Sequence, residues 1–272
     1  MAIYISAKDT GMVALPECET CSWVYMQVDR KPPFQIFPGI FSSFDSLNKR
    51  SVHDHFDTYG PPPWWGDDLP AVCGYEKPTR QRFTDDVSGV TVTGEPDAIY
   101  TLENEDGVVL ADYKTARLTE GQDDLMPVYT VQLNVYAWFR RVLELSPAKY
   151  LYLIYQDPQT RRDDMAPADY IRRNPKGYQL DFNAQIVPVE LKSDDYIPGL
   201  LKKVAKIAKM KKPPKGKDDC PNCARVKRLL ALADTFAEGD LDTYCDLIHA
   251  GQLAGFGITE TLRSARRHLV NW

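Results

Sequence analysis

An α/β fold is predicted, on three observations. An alternating stretch rich in Val, Thr, Ile and Tyr, VSGVTVTGEPDAIYTL (87–102), and a returning strand, VVLADYKT (108–115), flank the turn-forming NEDG. A strongly periodic helix, PVYTVQLNVYAWFRRVLEL (127–145), follows them. An apolar strand, KYLYLIYQ (149–156), comes next. Strands alternating with an amphipathic helix bury their apolar faces best as helices packed on a sheet.

The elements follow in order. Residues 1–60 carry a cysteine pair in PECETCSW, a Pro-rich connection in KPPFQIFPG, and a helix. Ser43 or Asp45 is placed to cap that helix, which must stop before Gly60 and the three prolines behind it. The stretch GPPPWWGDDLPAVCGYEKP (60–78) reads as irregular. The two strands around NEDG form an antiparallel hairpin, and residues 116–126 a polar loop. Pro127 opens the next helix at a first-turn position, and Val128, Val131, Val135, Trp138 and Val142 recur at helical spacing. GYQLDFNAQIVPVEL (177–191) is a further strand region, and YIPGLLKKVAKIAKMKK (196–212) a basic amphipathic helix. A Pro/Lys-rich loop, a second cysteine pair in DDCPNCARV and a helical tail (224–272) complete the chain.

At 272 residues the chain is long for one domain and short for two. Residues 218–272 are too small to stand alone, so one domain is expected over 1–272, with its core at about 40–200 and a cysteine clamp from 15–25 and 218–225. Hydrophobic residues at 43% and charged residues at 26% suit a globular enzyme. A net charge of −5 gives no global attraction to polyanions, so a nucleic-acid site has to be a local basic patch. The first fifteen residues lack a basic segment followed by an apolar one, and no apolar run is long enough to span a bilayer. A cytoplasmic location without membrane association is therefore expected, where six cysteines point to metal or redox chemistry rather than disulfides.

The chemistry concentrates in GEPDAIYTLENEDGVVLADYKT (94–115). A hairpin with its turn at 103–107 puts Asp97 mid-strand and Asp112 near the end of the partner strand, so the two carboxylates converge. Residues i and i+2 of a strand share a face, so Lys114 joins Asp112 while Tyr113 points away. Buried carboxylates are costly without a partner. Two of them, with the Tyr113 main-chain carbonyl, form a hard oxygen donor set suited to Mg²⁺ or Mn²⁺. Such a metal lowers the pKa of a bound water, and Lys114 can orient that water or neutralise developing charge.

These residues resemble the PD-(D/E)XK nuclease superfamily: Pro96 and Asp97 match the first acidic position, Asp112 the second, and Lys114 the lysine. On the following helix Gln132 and Tyr136 are four residues apart and share a face, in the place of the Q-x-x-x-Y motif of the RecB-like, CRISPR-associated exonuclease-like branch. The resemblance implies a restriction-endonuclease-like mixed central sheet flanked by helices, with the termini joined by a cysteine metal site. It also implies a metal-dependent deoxyribonuclease, an exonuclease on DNA ends or single strands. Asp97, Asp112, Lys114, Gln132 and Tyr136 would be its catalytic set, with Gln132 and Tyr136 also contacting the DNA backbone. The branch carries an upstream helical histidine as a further metal ligand. His53 and His55 stand there; SVHDHFD favours His55, with Lys49 and Phe56 nearby. Glu95 is placed to assist, though its side chain points opposite to that of Asp97. The resemblance further implies partners among recombination, phage or CRISPR proteins.

Cys18 with Cys21, and Cys220 with Cys223, are two C-x-x-C half-sites some two hundred residues apart. Together they can cage zinc or an iron–sulfur cluster, both of which accept four thiolates. The spacing leans to zinc. The resemblance leans to a [4Fe–4S] cluster, although its members use one N-terminal and three C-terminal cysteines. Cys245 is a substitute ligand, and Cys73 reads as a buried thiol. Trp23 and Tyr25, beside the first pair, resemble the start of small phage and bacterial RecB-like proteins.

For DNA binding, Lys202, Lys203, Lys206 and Lys209 lead a basic run reaching Lys217, with Arg161, Arg162, Arg172 and Arg173 as a second group. No feature reads base edges, so sequence-independent binding is expected. Trp64 and Trp65 either stack on bases or pack inward.

Overall fold

Four consecutive residues, Val108 to Ala111, are fully buried, which requires cover on both faces of their strand. The computed structural model, which describes residues 2–31, 38–118, 124–159 and 172–237, shows how that cover arises. The chain divides into two compact units: Met1–Gly11 with Phe37–Lys202, and Met12–Ile36 with Lys203–Trp272. The span 40–200, read from the sequence as the core, lies inside the first.

In the first unit the chain runs β1 (Ile3–Ser6), the start of α1 (Ala7–Ala14), α3 (Gly39–Tyr59), a 3₁₀ turn (Pro63–Trp65), β2 (Val72–Glu76), β3 (Gln81–Asp85), β4 (Val90–Gly94), β5 (Ala98–Leu102), β6 (Val108–Lys114), α4 (Met126–Val142), β7 (Ala148–Pro158), β8 (Arg172–Asn174), β9 (Gly177–Gln179) and β10 (Phe182–Val189). Helix α2 (Glu19–Gln27) falls in the second unit. Helix α5 (Tyr196–Ala208) crosses from the first into the second, and α6 (Pro221–Ala237) belongs to the second.

The central sheet has the order β10-β7-β6-β5-β2 and is mixed. Strands β6 and β7 are parallel; every other pair in it is antiparallel. A parallel pair needs a crossover, and α4 supplies it. A second sheet, β1-β4-β3, pairs β1 parallel to β4. The expected mixed central sheet flanked by helices is therefore present.

Side-chain alternation sends Val109, Ala111 and Tyr113 of β6 to one face, where they pack with Tyr100, Ile154, Trp65 and Val52 and Phe56 of α3. Phe56 stacks on Tyr100 at 5.5 Å between ring centroids, and Trp65 lies 4.8 Å from Tyr100. The opposite face of β6 and β7 takes α4. Arg140, only 5% exposed, is held on α4 by two bonds to Glu76 of 2.9 and 3.0 Å and by a bond to the Ser146 carbonyl, so its buried charge is fully paired. Asn134 Nδ2 donates to the Glu190 carbonyl and its Oδ1 accepts from the Lys192 N–H, fastening the segment after β10 to α4.

Several expectations are corrected. Helix α3 begins at Gly39, ahead of Ser43 and Asp45; the Ser43 hydroxyl bonds back to the Gly39 carbonyl inside the helix. Its end at Tyr59, with Gly60 at a φ of 84°, is where the sequence put it. The segment 60–78, read as irregular, contains β2, which pairs with β5. The run 87–102 is two strands in two sheets: β4 ends at Gly94 and β5 starts at Ala98. Pro96 lacks the N–H that a continuous strand would use, and the chain changes sheets there. Cys73 is exposed, not buried, with its thiol toward the carbonyls of Thr101 and Leu102. Trp65 is buried and Trp64 is exposed, its ring edge against His55. Arg161, Arg162, Cys245 and the tail beyond 237 lie outside the described residues. None of the described helices is long and apolar enough to cross a membrane.

Candidate active site

The change of sheet at Glu95–Asp97 decides where the first carboxylate stands. Asp97 sits immediately before β5, not mid-strand, and Ala98 pairs with Ala111. That register sets Asp97 beside Asp112. Asp97 Oδ2 accepts from the Tyr113 N–H at 2.9 Å, which ties it to the end of β6. Its Oδ1 accepts from Lys49 Nζ of α3 at 2.6 Å, and Lys49 also pairs with Asp45 one turn back, at 2.9 Å. Burial alone would lower the Lys49 ammonium; the Asp97 and Asp45 carboxylates outweigh it and hold it above its ordinary value.

Asp112 is 2% exposed. Burial pushes its carboxyl up to about 7; the Asp97 carboxylate adds to the rise and Lys114 opposes it. Lys114 lies on the same face, as alternation requires, and forms an ion pair with Asp112 Oδ2. Its ammonium sits 4.1 Å above the Tyr129 ring of α4. Gln132 Nε2 donates to Asp112 Oδ1 at 2.8 Å and to the Tyr136 hydroxyl at 3.0 Å. Tyr136 is 5% exposed, and burial raises its phenol well above the ordinary value.

Tyr113 points to the other face, as expected, where its hydroxyl bonds that of Tyr100. Glu95 points away from this group, toward Arg80 Nε at 3.8 Å. Thus the structure gathers Asp97, Asp112, Lys114, Gln132 and Tyr136 at one end of the central sheet.

His55 is not brought there. Its Nδ1 bonds the Gly60 carbonyl at 2.9 Å, and its ring meets Tyr59 and Trp64. His53 stacks on Tyr75 at 4.3 Å. A helix turns about 100° per residue, so residue 55 points about 120° away from residue 49, and residue 49 is the one that meets Asp97. Lys49, and neither histidine, is therefore the residue of α3 seen to reach Asp97. Its signal was present in the sequence: Lys49 is four residues after Asp45 and in line with the apolar Val52 and Phe56.

Asp157 was also missed. Leu153 pairs with Asp112 and Tyr155 with Lys114, so Asp157 continues the same face one step along β7. It is 6% exposed, Gln185 donates to its Oδ2 at 2.9 Å, and Arg117 Nε lies 4.0 Å from its Oδ1. A carboxylate ending the apolar run KYLYLIYQ is the same cue that marked Asp112.

The donor set fits a hard cation. Asp112 Oδ2 and Gln132 Oε1 are buried and have no hydrogen-bond partner among the described residues; the Lys114 ion pair reaches Oδ2 off the hydrogen-bonding direction. Two buried oxygens that accept no hydrogen bond, one of them ion-paired to Lys114, beside a second carboxylate make an oxygen-rich donor set of the kind Mg²⁺ or Mn²⁺ takes.

In the second unit Cys18 and Cys21 open α2, and Cys220 and Cys223 open α6. All four sulfurs lie within 4.8 Å of one another, and no disulfide joins them. The two expected half-sites thus form one cluster, which could hold a metal ion. On α5 Lys202 and Lys206 are exposed, as is Lys209 just beyond its end, and Lys203 is half-buried at the edge of that face; Leu201, Val204 and Ile207 are buried opposite. Arg172 and Arg173 are exposed on β8.

A 63-residue stretch is 44% identical to an ATP-dependent helicase/nuclease subunit of Clostridium novyi (strain NT), covering 21% of this chain and 5% of that protein. The chain thus spans a small fraction of that relative. Among solved structures, the crystal structure of SSO0001 aligns over 79% of each chain at 14% identity and a TM-score of 0.40. LHK-Exo in complex with dAMP aligns over 75% of this chain and 85% of that one, at 10% identity and a TM-score of 0.35. The PD-(D/E)XK nuclease superfamily model matches residues 63–228, more than half of the chain and every member of the carboxylate–lysine–glutamine group, and the chain belongs to that superfamily.

Proposed function

We propose that this protein is a divalent-metal-dependent deoxyribonuclease that hydrolyses phosphodiester bonds at DNA ends or in single strands. One observation carries the reading: two carboxylates, an ammonium, an amide and a phenol meet at one sheet end, where the buried Gln132 Oε1 accepts no hydrogen bond and Asp112 Oδ2 has only its ion pair with Lys114.

Asp97 and Asp112 would hold Mg²⁺ or Mn²⁺, with the Tyr113 carbonyl as a third donor. The cation, when bound, lowers the pKa of a water and polarises the phosphate. The chain's own residues do the rest. Gln132 donates to Asp112 Oδ1 and so fixes the carboxylate rotamer, turning Oδ2 toward the reacting centre. Lys114 is positioned to orient the attacking water and to neutralise charge building on the phosphate. Its cation is held in place by Asp112 on one side and the Tyr129 ring on the other. Tyr136 braces Gln132. Lys49 fixes Asp97, a positioning role in place of the ligand expected at His55. The exposed lysines of α5 supply phosphate contacts without base readout.

The test uses end-labelled linear and circular DNA, single- and double-stranded, with and without Mn²⁺. Cleavage of linear DNA that needs the metal, and circular double-stranded DNA left intact, is expected. Lys114→Ala and Asp112→Asn should each lower the rate by about 10²–10³-fold, the scale for removing one electrostatic group from a transition state. Equal cleavage by wild type and Lys114→Ala would exclude this mechanism. DNA binding without cleavage by the wild type would identify a catalytically silent binding module of the same fold. Neither binding nor cleavage would leave a metal-stapled structural protein.

A further inference from the structure

The cysteine cluster can be taken beyond the choice between zinc and iron–sulfur. Its two halves are built alike. Cys18 stands at the N-cap of α2, its carbonyl accepting from the Cys21 N–H at 3.0 Å. Cys220 immediately precedes α6, its carbonyl accepting from the Ala224 N–H at 3.1 Å. Cys21 and Cys223 lie in the first helical turns, so both helices aim their positive ends at the sulfurs.

The sulfur separations decide between ligands. Cys18 and Cys223 are 3.3 Å apart, Cys21 and Cys220 3.4 Å, and Cys21 and Cys223 3.7 Å, with no pair beyond 4.8 Å. Four sulfurs bonded at about 2.3 Å to one tetrahedral ion are about 3.8 Å apart. In a [4Fe–4S] cluster each thiolate binds a different iron and points outward from the cube. Its sulfurs are then separated by an iron–iron edge plus two diverging bonds, so they stand well outside the spacing around a single ion.

The surroundings resist such an expansion. A Cβ on Gly216 would come within 3.1 Å of Cys223 Sγ and 3.5 Å of Thr20 Oγ1. The loop therefore leaves little room for a side chain at Gly216 beside the cluster. Thr20 Oγ1 donates to the Pro214 carbonyl at 2.7 Å, and Trp23 Nε1 to the Met210 carbonyl at 3.0 Å. Lys206 pairs with Glu19 at 2.8 Å, and Lys217 with Glu17. Opening the cage to cube dimensions would strain or break these ties.

We infer that Cys18, Cys21, Cys220 and Cys223 hold one tetrahedral zinc ion with no open coordination position, a structural metal and not an iron–sulfur cluster. This does not rest on the nuclease reading: the outcome is metal content, and cleavage at the carboxylate site neither supports nor opposes it.

The test is to express the full chain in medium replete in both iron and zinc, purify it without oxygen, and measure metals and the zinc K-edge X-ray absorption. About one zinc per chain, a colourless protein and a single shell of four sulfurs at about 2.3 Å are expected. Cys220→Ser should lose most of the zinc, and Cys73→Ser should keep it. Should Cys220→Ser not fold, the wild-type metal content still decides. About four irons per chain with a brown colour would overturn the inference, as would a metal-free protein whose four cysteines are paired in disulfides.

Discussion

Gly94→Ala tests the link between core packing and the proposed chemistry. A Cβ at Gly94 would stand 2.7 Å from Tyr136 Cε1, 3.1 Å from Ala7 Cβ and 3.4 Å from Phe139 Cε2. Carbon atoms prefer about 3.5–4.0 Å, so the overlap with Tyr136 is about 1 Å. The ring has no room to yield: Tyr136 is 5% exposed and Phe139 1%. Overpacking of this kind costs about 1–3 kcal/mol, which in a chain of this size lowers Tm by about 2–12 °C. The same push moves the hydroxyl that braces Gln132, which in turn holds Asp112. A misplacement near 1 Å is worth about 10²-fold in rate, so cleavage should fall further than stability explains. A double-mutant cycle isolates the contact. Tyr136→Ala alone costs about 3–5 kcal/mol, but Gly94→Ala added to it meets an empty space. Urea denaturation of the four proteins should show the double variant more stable than the sum of the singles by at least about 1 kcal/mol. Additivity within about 0.5 kcal/mol, or a Gly94→Ala protein with wild-type stability, would refute the packing argument.

Two further outcomes follow from the same geometry. Lys49→Met leaves Asp97 Oδ1 without its 2.6 Å partner and should destabilise the protein in EDTA by about 1.5–3 kcal/mol, the scale of a charge-assisted bond. Saturating Mn²⁺ replaces the lost cation, so thermal melts should recover most of the difference; an equal loss with and without metal would show that Lys49 and the metal do not share Asp97. On α5 and just beyond it, Lys202→Ala and Lys209→Ala should each reduce the slope of log K against log salt for single-stranded DNA by about 0.7. Lys206→Ala should change it less, because Glu19 already pairs with that ammonium; fluorescence anisotropy titrations at several salt concentrations give the slopes.

The sequence was most legible where period and chemistry coincide. The alternation in VVLADYKT placed Asp112 and Lys114 on one face, and the four-residue spacing in QLNVY turned Gln132 toward them. Both are local rules of strand and helix geometry. What escaped notice depends on long-range pairing. Strand β1 is four residues long and pairs with β4 nearly ninety positions away, and β2 lies in a Pro-rich stretch that carries no alternation. Lys49 escaped for a related reason: its role exists only because α3 lies on the face of the sheet where Asp97 ends. His55 was favoured by a motif, but its rotation about the helix axis turns it to the Gly60 carbonyl.

The passage Glu95–Pro96–Asp97 joins a strand of the small sheet to a strand of the large one. Asp97 is therefore held at a seam, not inside a ladder. Loss of the β1-β4-β3 sheet would release the strand that leads into that carboxylate while β6 and β7 stayed paired, leaving Asp97 to its bonds with Tyr113 and Lys49. Catalytic competence should then vanish at milder heat or denaturant than the bulk unfolding signal, making enzymatic output a sensor for the seam.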